Sequence, residues 1–79
     1  MTTILNYGSG NIKALLNIYN SNNIDASIAS SPNELRQANK IILPGVGAFD
    51  NAIKLLNNSG LRDTLEDLVI NKTVPILGI

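Results

Sequence analysis

The 79 residues contain no cysteine and no histidine. Without Cys there is no disulfide, no thiolate nucleophile and no Cys-type zinc site. Without His there is no imidazole base and no source of the commonest metal ligand. None of the Ser-His or Cys-His catalytic triads can be assembled from these residues alone. Charge is scarce too: six basic side chains face six acidic ones, and charged residues make up 15% of the chain. Nucleic acid and anionic membranes both require a basic face, so neither is expected as the main partner. No apolar run approaches the roughly eighteen residues of a membrane span. The opening Met1-Thr2-Thr3 lacks the basic start of a targeting segment, so the cytoplasm is the expected compartment.

What is present is the composition of a globular protein, with a hydrophobic share of 44% and an excess of Asn, which occurs twelve times. Asn tolerates left-handed backbone and suits turns and helix ends. The length allows one small domain or a piece of a larger one. A domain of this size buries only about 60 to 65% of its unfolded surface, which leaves a marginal core.

Along the chain, Thr2 to Asn6 reads as a strand that ends in the turn Tyr7-Gly8-Ser9-Gly10. Ile12, Leu15, Leu16 and Tyr19 then recur at helical spacing, and Asn20 to Asn23 is a polar stop. Ile24 to Ala29 alternates as a second strand. Ser31-Pro32-Asn33-Glu34 is a capping box with Pro at the first helical position, opening a short helix through about Ala38. Lys40 to Leu43 is a third strand running into Pro44-Gly45-Val46-Gly47. A helix is expected from about Ala48 to Asn57 with Phe49, Ala52, Ile53 and Leu56 inward, until Asn58-Ser59-Gly60 breaks it. Leu61, Leu65, Leu68 and Val69 mark another helix, and Thr73 to Ile79 a final apolar strand.

The order βαβαβααβ predicts an α/β fold, a parallel sheet with helices on both faces. The last strand has the composition of one buried on both faces, which requires covering helices and pairing neighbours. The chain is therefore read as residues 1–79 of a larger single domain, its N-terminal part.

In such a sheet the strand-to-helix turns share the carboxyl edge, and ligands bind where strand order reverses. With right-handed crossovers and the order 2-1-3-4, the turns after strands one and three flank a single crevice. Strand four then ends beside the second turn, which places the point of greatest interest directly after Ile79. Gly8-Ser9-Gly10-Asn11 invites a phosphate-binding reading. However, Lys13 stands where G-x-G-x-x-G needs its third glycine, and a tight turn with Asn11 as helix cap is the better account. Pro44-Gly45-Val46-Gly47 can aim backbone N–H groups at an oxyanion, bind phosphate or simply turn the chain. From pattern alone the structural reading ranks first.

The other candidates are plainer. Asp63, Glu66 and Asp67, with Arg62 one turn before Glu66, read as a solvated helix surface. Asp50 near a helix start is favourable with the dipole and needs no further role. Tyr7 has packing as its default role, and Arg36 and Lys40 are too few for an anion site.

Three segments taken together, Asn6-Tyr7-Gly8-Ser9-Gly10-Asn11, Leu43-Pro44-Gly45-Val46-Gly47-Ala48-Phe49 and Val74-Pro75-Ile76-Leu77-Gly78-Ile79, resemble the class I glutamine amidotransferases in order and spacing. The nearest likeness is to glutaminase subunits of the imidazole glycerol phosphate synthase type. The resemblance implies a flavodoxin-like fold, glutamine as substrate and no cofactor. It also implies a nucleophilic Cys directly after Ile79, with His and Glu much further on. Gly45, Val46 and Gly47 match the family's oxyanion strand, and Gly47 would border the glutamine pocket. Gly8, Gly10 and Asn11 match the loop beside the docking face for a synthase or cyclase partner, which forms a heterodimer with the glutaminase and receives its ammonia. Many members have Asp where Asn6 stands here. The Asn6-Tyr7-Gly8 version, with Asn17-Ile18-Tyr19, is similar to paralogues that serve a sugar amidotransferase in surface-polysaccharide synthesis. A non-catalytic flavodoxin-like binding module is the remaining alternative. By themselves the 79 residues are expected to be marginally stable and without glutaminase activity.

Overall fold

Four short runs rich in Ile, Leu, Thr and Ala form the strands, and they pair because each supplies alternate apolar side chains to two faces. A computed structural model describes residues 2–8, 11–47 and 49–79, leaving the Phe49 side chain aside. The strands are β1 (Thr2–Leu5), β2 (Ala26–Ala29), β3 (Lys40–Leu43) and β4 (Ile76–Gly78), all parallel in the order β2-β1-β3-β4. Between them lie α1 (Ile12–Ser21), α2 (Pro32–Leu35), α3 (Phe49–Ser59) and α4 (Arg62–Glu66), the last continuing into a π-helical turn over Asp67–Asn71. The α/β class and the strand order expected from the sequence are both borne out.

Register decides what each face buries. Ile4 pairs with Ile28 and Ile42 on one face, while Thr3 pairs with Ser27 and Ile41 on the other. The second face carries the main core, in which Leu5, Ala29 and Ile41 pack with Leu35, Ala38, Ala52, Leu56, Leu61, Leu65 and Leu68 from the three later helices and the residues flanking them. The first face is covered by α1, whose Ile12, Leu15, Leu16 and Tyr19 are half-buried. Opposite directions of travel from β1 to β2 and from β2 to β3 put the helices on opposite faces when both crossovers are right-handed. Among the described residues no helix is long and apolar enough to cross a membrane.

The caps follow the residues. Asn11 accepts from the Ala14 N–H at 3.3 Å and so caps α1. The Ser31 hydroxyl accepts from the Glu34 N–H at 3.3 Å, and Glu34 reaches back to the Ser30 N–H at 3.1 Å. The return bond of this capping box therefore lands one residue earlier than usual. Beyond Leu35 the segment tightens, with Ala38 N–H donating to the Leu35 carbonyl at 3.0 Å, so α2 stops short of Ala38.

Two expectations need correction. Ile53 is 36% exposed and does not point inward with Ala52 and Leu56. The inward stripe of α3 is Ala52, Leu55, Leu56 and Ser59, at i, i+3, i+4 and i+7, and Ile53 lies beside it. β4 is shorter than Thr73 to Ile79, and within these 79 residues Ile76, Leu77 and Ile79 are 39%, 56% and 46% exposed. Among the described residues it pairs with β3. The inward placing of Phe49 and the start of its helix at Ala48 lie outside the described residues.

The surface reading of the acidic helix holds. Arg62 meets Glu66 at 2.8 Å one turn apart, and Arg36 meets Asp67 at 2.9 Å. Bonds donated by Asn71, at 2.8 Å, and by Arg36 hold the Asp67 carboxyl below its ordinary value. A carboxyl lowered in the folded state contributes stability above the unfolded carboxylate range, and loses it as pH falls through the folded value. Asp67→Asn should therefore lower the melting temperature slightly near neutral pH and leave it unchanged in acid, where the two melting curves should converge.

Candidate functional site at the carboxyl edge

Strand order reverses between β1 and β3, so the turns leaving these two strands face each other at one edge of the sheet. Tyr7 follows β1 and is buried, with 4% of its surface exposed. Its hydroxyl donates a hydrogen bond to the Pro44 carbonyl in the turn that follows β3. Gly8, next in sequence, has φ of 103°, a backbone that side-chain-bearing residues rarely adopt. Gly45 has φ of 79° for the same kind of turn after Pro44.

β4 closes the third side. Ile79 donates its N–H to the Leu43 carbonyl at 3.0 Å and accepts from the Val46 N–H at 3.0 Å. The ladder between β3 and β4 thus continues past both strands into the Pro44 to Gly47 turn. The Val46 side chain lies against Gly78, where an added Cβ would stand 3.3 Å from both Val46 methyl groups. A cleft of about 310 Å³ opens beside the turn, lined by Asn11, Ala14, Leu15, Ile18, Pro44, Gly45 and Ile79. None of these seven side chains carries a charge, so any electrostatic stabilisation by these residues must come from backbone dipoles. Among the described residues no group of three His, Cys, Asp or Glu side chains gathers that could hold a metal ion.

Of the candidates read from the sequence, Gly8, Asn11, Gly45, Val46 and Gly47 all lie on this edge of the sheet, in the turns after β1 and β3. Gly10 lies outside the described residues. Val46 differs from its two neighbours, because its N–H is already spent on Ile79. Among the described residues no backbone partner is found for the N–H of Gly45 or Gly47. Two contributors were not singled out by sequence: Tyr7 beyond packing, and Gly78 as the seat of Val46. The signal for the second was the glycine inside an otherwise apolar strand, which marks a close approach.

No protein-family model matches the chain. Curated relatives do. Over all 79 residues it is 52% identical to the imidazole glycerol phosphate synthase subunit HisH of Bdellovibrio bacteriovorus and 48% identical to that of Leptospira borgpetersenii. It is 40% identical over the same length to the subunit named HisH 2 of Pseudomonas aeruginosa. The chain is a homologue of the N-terminal part of HisH subunits. The match covers 100% of the chain and 39% of each of these three relatives, so the chain spans well under half their length. The resemblance carried by the three sequence segments is borne out by these HisH relatives, and described residues of all three segments lie at the edge just described.

The contact of Val46 with Gly78 should appear as coupling. Gly78→Ala is expected to cost about 1 kcal/mol more with Val46 present than in a Val46→Ala background, through overpacking at the turn. A double-mutant cycle of denaturant unfolding measures this, and additive effects would show that the turn does not rest on Gly78.

Proposed function

We propose that the chain is the N-terminal part of a glutaminase subunit that hydrolyses glutamine and delivers ammonia to a synthase partner for imidazole glycerol phosphate formation in histidine biosynthesis. The observation that carries this reading is the backbone bond between Val46 and Ile79, at 3.0 Å, in a chain 52% identical to a HisH subunit. In this reading a residue following Ile79 would stand beside a glycine turn that has N–H groups to offer. The names of the relatives support the imidazole glycerol phosphate synthase over a sugar amidotransferase as the partner.

In this reading a Cys thiolate directly after Ile79 attacks the carboxamide carbon of glutamine. The C–N bond breaks with proton transfer to nitrogen, ammonia leaves, and water hydrolyses the thioester to glutamate. The His and Glu that manage the protons are supplied by later parts of the subunit. The described residues contribute the oxyanion site, with Gly45 and Gly47 as donors and Val46 as the residue that anchors the turn to β4. Gly8 and Asn11 lie on the edge offered to the synthase subunit, Gly10 is assigned to the same loop by the resemblance alone, and no cofactor is required. The chemistry belongs to the cytoplasm.

Backbone donors are tested by proline. Among the described residues nothing lies within 4 Å of where a Gly47 Cβ would stand, so Gly47→Ala should be tolerated. Gly47→Pro removes the N–H and should cost roughly 2 to 4 kcal/mol of transition-state stabilisation in the full-length subunit. Ammonia release measured for both variants decides the matter, and equal turnover by Gly47→Pro and Gly47→Ala would remove the oxyanion role.

A further inference from the structure

We infer that residues 72–74, which join the π-helical turn to β4, are a strained joint that opens locally while α4 and the β3–β4 ladder stay folded. The inference is independent of the glutaminase reading. Thr73 has φ of 54°, in the left-handed region. Among the described residues Asn23 is the other non-glycine residue with positive φ, and Asn adopts that conformation readily. A β-branched residue does not, because its Cβ crowds the carbonyl oxygen that follows. Thr73 stands just past the Lys72 cap, where a helix is commonly closed by glycine.

The closure around Thr73 is wide as well. Its closing bond runs from the Val74 N–H to the Leu68 carbonyl at 3.0 Å, one residue further back than in an ordinary glycine closure. The extra residue is taken up in the π-helical turn, where the Lys72 N–H donates to the Asp67 carbonyl at 3.3 Å. The Thr73 hydroxyl donates to the Lys72 carbonyl at 2.7 Å, next to it in the chain, and so ties Thr73 to no other element. Both flanks are anchored. Arg36, just after α2, and Asn71 hold the Asp67 carboxylate, while the Pro75 carbonyl accepts from the Ile41 N–H at 2.9 Å. Relief of the strain at Thr73 is therefore confined to the short stretch between these anchors. Conformational joints have this form, with a few residues at an element's end absorbing the change in backbone angles.

Amide hydrogen exchange in the full-length subunit carrying this segment tests the joint. The Val74 amide should exchange through an opening that leaves two others protected: Ile41, and Leu65, which donates to the Leu61 carbonyl at 2.9 Å. Thr73→Gly accepts the left-handed backbone without strain. It should slow Val74 exchange, corrected for intrinsic rates, by about 3- to 10-fold once glycine's greater freedom in the opened joint is allowed for. Thr73→Ala keeps the Cβ and should leave the corrected rate within about twofold of the unsubstituted subunit. Equal slowing by the two substitutions would show that strain is not the cause, and overturns the inference. Val74, Ile41 and Leu65 exchanging with one common opening free energy would show that the joint does not open by itself, and overturns it too.

Discussion

Parallel pairing of β1 with β3 is the constraint from which the arrangement at the carboxyl edge follows. The two strands meet through Thr3 with Ile41 and Ile4 with Ile42, and all four side chains are buried. Because the strands run the same way, both must leave the sheet at the same edge, and their following turns have to share that space. Because the strand order reverses between them, the helices that follow depart on opposite faces and leave a gap. Tyr7 reaches Pro44 across this gap. Register, not any attraction between the two turns, brings a glycine turn after β1 within a side chain's reach of another after β3.

The two faces of the sheet are unequally supported, and this bears on the site. One has a packed layer of leucines from the three later helices, with Leu5, Leu35 and Leu61 almost fully enclosed. The other has α1 alone, none of whose residues is fully buried. Within these 79 residues the apolar side chains of β4 are partly exposed. β4 is held instead by its backbone ladder to β3 and by the continuation of that ladder through Ile79 to Val46. The same bonds that fix the edge strand fix the candidate oxyanion turn, so local stability of β4 and geometry of the turn are a single property.

Much of this was legible in the sequence because it rests on short-range rules. The Ser31 to Glu34 box, the Asn11 cap and the stop at Gly60 come from local chemistry that tertiary packing did not override. The strand order came from alternation of elements and the handedness rule. What escaped was set by distance in the fold. Ile53 has the composition of an inward residue, but the 3.6-residue period turns Ala52 and Leu55 inward and leaves it aside. The Tyr7 bond to Pro44 joins residues 37 positions apart, and no sequence spacing encodes it.

The same distinction explains why the composition argued so strongly against chemistry. Nucleophiles, bases and metal ligands are side chains, and their absence can be counted. An oxyanion site of the kind proposed uses peptide N–H groups, which every residue but proline carries, and its chemistry lies in the direction those groups face. Here the described turn is held by uncharged elements: a tyrosine hydroxyl, two left-handed glycines and one strand-end carbonyl. A chain with 15% charged residues and no histidine loses nothing from such a site. Its want of reactive side chains constrains where the nucleophile must come from, and is silent on whether the backbone awaits one.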